Sequence, residues 1–149
     1  MKTKILALLV AAMIIVNVSY AKSTDNNVNE TVLTSFSEQF EKASDVEWLK
    51  MDGYYKATFT WNDQYLTAFY DDNGESISVA RNVVLKDMPI LLQTNLADEY
   101  KGYWVSDLFE YTTKDSNRYY VTIESADKKI ILESVDSSYW EVFKKSNKE

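Results

Sequence analysis

Apolar and polar residues along this chain switch between two periods, and the switches mark out the elements. Leu33, Phe36, Phe40 and Ala43 recur at spacings of three and four, which predicts a helix starting near Thr31 and closing at Ala43-Ser44-Asp45. From Val46 the period drops to two. Strands are predicted over 46–51, 54–61, 64–70 and 76–84, separated by Asp52-Gly53, Asn62-Asp63 and Asp72-Asn73-Gly74. Asp52-Gly53 favours a tight hairpin because both residues tolerate positive φ.

The same order then recurs. Pro89 suits the first turn of a second helix, on which Leu92, Leu96 and Tyr100 lie four apart, with Lys101 and Gly102 at its end. Strands over 103–112, 118–125, 129–135 and 139–144 follow. Tyr55-x-Ala57-x-Phe59 and Tyr119-x-Val121-x-Ile123 stand 64 residues apart, whereas the turn residues Asp71 and Asp136 stand 65 apart, so one residue is gained between them. The fold class predicted is α+β: two tandem units, each a helix plus a four-stranded antiparallel meander, with the helices packed on one face of the sheet. The units are placed at 31–86 and 87–145, after a polar disordered lead-in at 22–30 and before a polar tail at 146–149.

Residues 1–21 have the three parts of a secretory signal: Lys2 and Lys4, an apolar stretch from Ile5 to Val18, and Ser19-Tyr20-Ala21 as the cleavage site. That stretch, broken by Asn17, is shorter than the ~20 residues that span a bilayer. Cleavage removes two lysines and no acids, leaving 128 residues with 14 basic against 23 acidic side chains, a net charge of −9. Such a chain repels phosphate backbones, so nucleic acid is not an expected partner. A periplasmic or secreted location is expected, with no membrane attachment after cleavage. The chain contains no cysteine, so packing alone must hold it together, and aromatic side chains supply much of the apolar area.

The residues assembled so far resemble the β-lactamase-inhibitor-like, PepSY-like secreted proteins of bacteria. Phe36 and Phe40 carry the resemblance in the first helix, followed by Val46-x-Trp48, Tyr55-x-Ala57-x-Phe59 and Ala68-x-Tyr70-Asp71-x-x-Gly74. Pro89 and Tyr100-x-x-Tyr103 continue it. Met88-Pro89 stands where members carry Leu-Pro, and Glu41 or Lys42 where a proline is common. The resemblance implies tandem units with helices on one face of an antiparallel sheet and the other face available. In the inhibitor that gives the group its name, the exposed sheet surface grips an enzyme.

Little in the chain points to catalysis. Histidine and cysteine, the readiest acid-base and nucleophilic groups at neutral pH, are absent, and Gly53, Gly74 and Gly102 are too isolated to form a phosphate loop. No cofactor and no metal site is expected. Asp71-Asp72-Asn73-Gly74-Glu75 resembles a fragment of a calcium loop but lacks its ligand spacing, and a hairpin turn accounts for it. Trp48, Trp104 and Trp140 are expected in the core or at its edge, with Trp61 the most exposed of the four.

The expected function is a non-enzymatic binding protein, inhibitor-like, that engages a protein partner through the uncovered sheet face. On the strand faces opposite Tyr55-Ala57-Phe59 and Tyr119-Val121-Ile123, the contact candidates are Tyr54, Lys56, Tyr65, Phe69, Tyr120 and Glu124. A small-ligand or envelope-sensing protein with a closed pocket between helix and sheet is the alternative. A carboxylate-dependent hydrolase is the weaker one.

Overall fold

A computed structural model of the protein describes residues 28–148. The proposed signal and most of the lead-in lie outside them. Helix α1 (Glu30–Gln39) precedes strands β1 (Ser44–Met51), β2 (Tyr54–Trp61), β3 (Gln64–Tyr70) and β4 (Ser76–Asn82). A 3-10 turn (Leu85–Asp87) and helix α2 (Ile90–Glu99) lead to β5 (Trp104–Thr112), β6 (Asn117–Glu124), β7 (Lys128–Ser134) and β8 (Trp140–Asn147). All eight strands form one antiparallel sheet in chain order.

Register shows which face each helix covers. Ala57, Ala68, Val79 and Thr112 sit opposite one another across β2 to β5, as do Phe59, Leu66, Arg81, Glu110 and Tyr119 across β2 to β6. Val32, Phe36 and Phe40 pack on this face against Trp48, Tyr55, Phe59 and Tyr70. Leu92 and Leu96 pack on it against Leu108, Val121, Ile123 and Leu132. Both helices therefore lie on the same side. Phe36 meets Phe59 edge-on at 4.8 Å between ring centroids and Trp48 at 5.1 Å, the perpendicular geometry that ring quadrupoles favour.

Between the two helix-covered cores the same face is polar. Arg81 Nε donates to Glu110 Oε2 at 2.5 Å, and Asn117 Nδ2 and the Tyr119 hydroxyl donate to Glu110 Oε1 at 2.6 and 3.2 Å. Glu110 is thus buried with its oxygens satisfied, which avoids the cost of a bare interior charge.

Most strands fall within a residue or two of their predicted bounds, and the departures have local causes. The first helix begins at Glu30 because the Asn29 side chain accepts from the Thr31 amide at 2.9 Å, so part of the expected lead-in is a cap. It ends at Gln39, before Ala43. Strand β4 stops at Asn82 as the chain leaves the sheet for the 3-10 turn. Pro89 is the N-cap of α2 and not part of its first turn. The polar tail is partly strand: Lys128 pairs Asn147, an edge position where polar side chains suffice. Asn62 and Asp63 both take positive φ, at 50° and 60°, whereas at Asp52-Gly53 only Gly53 does. The two-residue hairpin expected at Asp52-Gly53 thus has its fully left-handed counterpart one turn later.

Candidate functional site

The face without helices is built by the alternate residues of the same strands. Lys56, Phe69 and Ser78 form one row; Thr58, Thr67, Ala80, Tyr111 and Arg118 the next; Asn82, Phe109, Tyr120 and Glu133 a third. All six candidates from the sequence lie on this face. They do not share one environment.

Tyr54, Phe69 and Tyr120 are buried, at 6, 0 and 2% exposure, which corrects the expectation that they meet a partner directly. Side chains on this face cover one another. Tyr54 and Phe69 lie 5.9 Å apart with Met51 and Ile77 against them. Tyr120 stacks on Phe109 at 5.2 Å and meets Tyr111 and Phe143 edge-on at 6.2 and 5.6 Å. Its hydroxyl donates to Glu133 Oε1 at 2.7 Å, and Glu133 also pairs with Arg118. Burial and the neighbouring Glu133 carboxylate raise the Tyr120 phenol well above its ordinary value. The face thus carries apolar clusters of its own.

The other three candidates are reachable to different degrees. Tyr65 is 60% exposed. Lys56 is half-buried, and burial lowers its pKa. Both line a cleft of about 320 Å³ that crosses β2 to β5, with Thr58, Thr67, Ala80, Arg81, Asn82, Asp107 and Phe109 as its other walls. Glu124 stands apart, held by Lys148 at 2.5 Å and Lys129 at 3.6 Å, and the hydrogen bond from Lys148 depresses its carboxyl. Strand alternation in the sequence could not bring Asp107 and Asn82 into the cleft, because pairing between β4 and β5 is long-range.

Trp104, expected in the core or at its edge, is 52% exposed on the open face, with Lys148 Nζ 4.6 Å from its ring centre. A bulge between Val105 and Asp107 shifts the alternation of β5, so Trp104 pairs Glu124 on the open face while Val105 faces the core. Trp61, expected at the surface, is half-buried against Phe40 and donates to the Glu41 carbonyl at 3.0 Å. Trp48 and Trp140 are core residues.

The acidic turn after β3 is closed on itself. Asp71 Oδ1 accepts from the amides of Asn73 and Glu75 at 2.9 and 2.8 Å. Among the described residues no group of three or more acidic side chains is placed to hold a metal, and no helix is long and apolar enough to cross a membrane.

Solved structures share this fold. A BLIP-like protein from Bacteroides fragilis superposes with a TM-score of 0.69 at 15% identity, over 87% of this chain and 89% of that one. A DUF2874 family protein from Bacteroides ovatus gives 0.72 at 18%, over 82% and 89%. A candidate periplasmic protein from Bacteroides eggerthii gives 0.71 at 14%, over 80% and 88%. The fold is therefore BLIP-like. No protein-family model matches the sequence, and no curated protein matches it.

Proposed function

We propose that the chain is an exported, non-enzymatic binding protein, acting in the periplasm or outside the cell, that engages a protein partner through the open face of its sheet. One observation carries this reading. Both helices cover the same face, so the other presents four adjacent strands and the cleft between Lys56 and Asp107. Tyr65 and Lys56 are the contact residues at the cleft. Tyr54, Phe69 and Tyr120 lie beneath and stiffen the surface, and Glu124 with Trp104 forms a rim. The division into two units, each a helix with four strands, makes the surface a composite of both halves. The BLIP-like fold of the solved counterparts supports a binding role. The cleft lies on the sheet and not between helix and sheet, which favours a surface contact over the closed pocket of a small-ligand carrier.

A photo-cross-linking residue placed at position 65, with the same residue at the exposed Ile90 that begins α2 as control, tests the reading in an envelope extract. A discrete cross-linked protein from position 65 alone is expected. Equal products from both positions, or a product from position 90 alone, would reject the open face as the docking surface.

A further inference from the structure

Resting on the binding role just argued, we propose that the open-face cleft is a carboxylate-recognition site in which the Lys56 ammonium receives an Asp or Glu side chain carried on an extended segment of the partner. Lys56 sits directly across from Phe69, whose ring is wholly buried although no helix covers it. Lys56 also lines the cleft, and its register beside Phe69 suits the division of labour that long cationic side chains adopt over apolar surface, stem on the ring and ammonium toward water.

Among the described residues that ammonium has no counter-ion. The ion pairs among the described residues join Arg81 to Glu110, Arg118 to Glu133, and Lys129 and Lys148 to Glu124; none includes Lys56. Burial lowers its pKa, with no acid among the described residues contributing. A cation that has shed part of its hydration without gaining a partner is uncompensated, and an incoming carboxylate supplies the missing charge together with a charge-assisted hydrogen bond.

The remaining charges of the cleft fix where the acid goes. Arg81 borders the cleft, but its side chain lies on the helix-covered face, where it is committed to Glu110. Asp107 lies on β5, three strand spacings or about 14 Å across the sheet from β2, and its Oδ1 accepts from the Leu108 amide at 3.0 Å. It repels an acid from the β5 end. Thr58 and Thr67 line the β2 side and offer hydroxyl donors to the same carboxylate. A volume of about 320 Å³ is at the low end for a small-molecule pocket and accommodates one side chain with its neighbouring peptide groups.

The probes are acetyl-Phe-Glu-Thr-Val-amide, its Gln counterpart, and free glutarate, each titrated into the purified protein while the Lys56 ε-methylene signal is followed by NMR. The Glu peptide is expected to shift that signal, raise the Lys56 titration midpoint and bind at least tenfold more tightly than the Gln peptide. Lys56→Met should remove the difference between the two peptides, and Lys56→Arg should keep it. Equal binding of the two peptides, no response of Lys56 to the Glu peptide at millimolar concentration, or an unchanged preference in Lys56→Met would overturn the carboxylate assignment. Glutarate binding as tightly as the Glu peptide would overturn the polypeptide origin of the acid. If Lys56 fails to respond while cross-linking from position 65 persists, only this assignment falls; loss of both defeats the docking face as well.

Discussion

Gly74 is pressed against Thr31 in the first turn of α1. A Cβ at Gly74 would stand 2.9 Å from the Thr31 carbonyl oxygen and 2.8 Å from Ser35 Oγ, and the residue holds φ at +80°. The β3–β4 turn and the helix are therefore in backbone contact, reinforced by Asn29 Nδ2 donating to the Asp72 carbonyl at 3.0 Å. Gly53 has a similar φ of +79° with nothing within 4 Å of its Cβ position. Gly74→Ala should thus cost both the backbone penalty and the overpacking, together about 2 to 4 kcal/mol, against about 1 to 2 for Gly53→Ala. Urea denaturation of the two variants checks the difference.

Tyr120 and Glu133 form a second such link, on the open face. Tyr120→Phe keeps the stack on Phe109 and removes one hydrogen bond to a carboxylate that retains Arg118. A loss of about 1 to 2 kcal/mol is expected. Tyr120→Ala also opens a cavity among Phe109, Tyr111 and Phe143 and should cost about 3 to 5 kcal/mol. Near-equal losses for the two variants, measured by thermal or chemical unfolding, would mean that the ring packing contributes little.

The Glu110 network makes part of the stability depend on pH. Burial pushes this carboxyl up, but hydrogen bonds from Asn117 and Arg81, the Arg81 charge and the Tyr119 hydroxyl outweigh it and hold the pKa below its ordinary 4.5. A group depressed in the folded state contributes stability above its unfolded pKa and loses it as pH falls through the folded value. Wild type should therefore exceed Glu110→Gln in stability at neutral pH, and the gap should narrow below about pH 4.5. A gap that stays constant from pH 7 to pH 3 would assign the effect to shape and not to charge.

Strand positions could be read from the sequence because alternation and turn residues are local. Tyr54–Trp61 and Gln64–Tyr70 match the predicted bounds for that reason. Which face a residue occupies was also legible wherever no bulge intervened, as at Lys56 and Tyr65. Trp104 was misplaced because the irregularity after Val105 reverses the alternation, and nothing in the side chains around Ser106 announces it. Burial on the open face was illegible for a different reason. Phe69 and Tyr120 are covered by residues from other strands, among them Tyr54, Phe109 and Phe143, and such cross-strand packing has no signature in a single strand's pattern.

Tyr65 and Phe69 occupy the same face of the same strand four residues apart, yet one is 60% exposed and the other fully enclosed. Their substitution by serine should therefore separate docking from folding. Tyr65→Ser removes a ring in contact with solvent and should change stability by less than about 0.5 kcal/mol, since it leaves no cavity and no unpaired buried group. It should weaken cross-linking of a partner from a neighbouring open-face position such as Thr67, because an exposed tyrosine offers contact area with few rotamers to freeze. Phe69→Ser buries a hydroxyl in the space of a ring beside Tyr54 and should cost about 3 to 5 kcal/mol. Circular dichroism melts paired with the cross-linking assay distinguish the two. A stable Phe69→Ser protein that still binds would mean that the aromatic layer under the open face is dispensable, and a Tyr65→Ser protein that binds undiminished would remove Tyr65 from the contact surface.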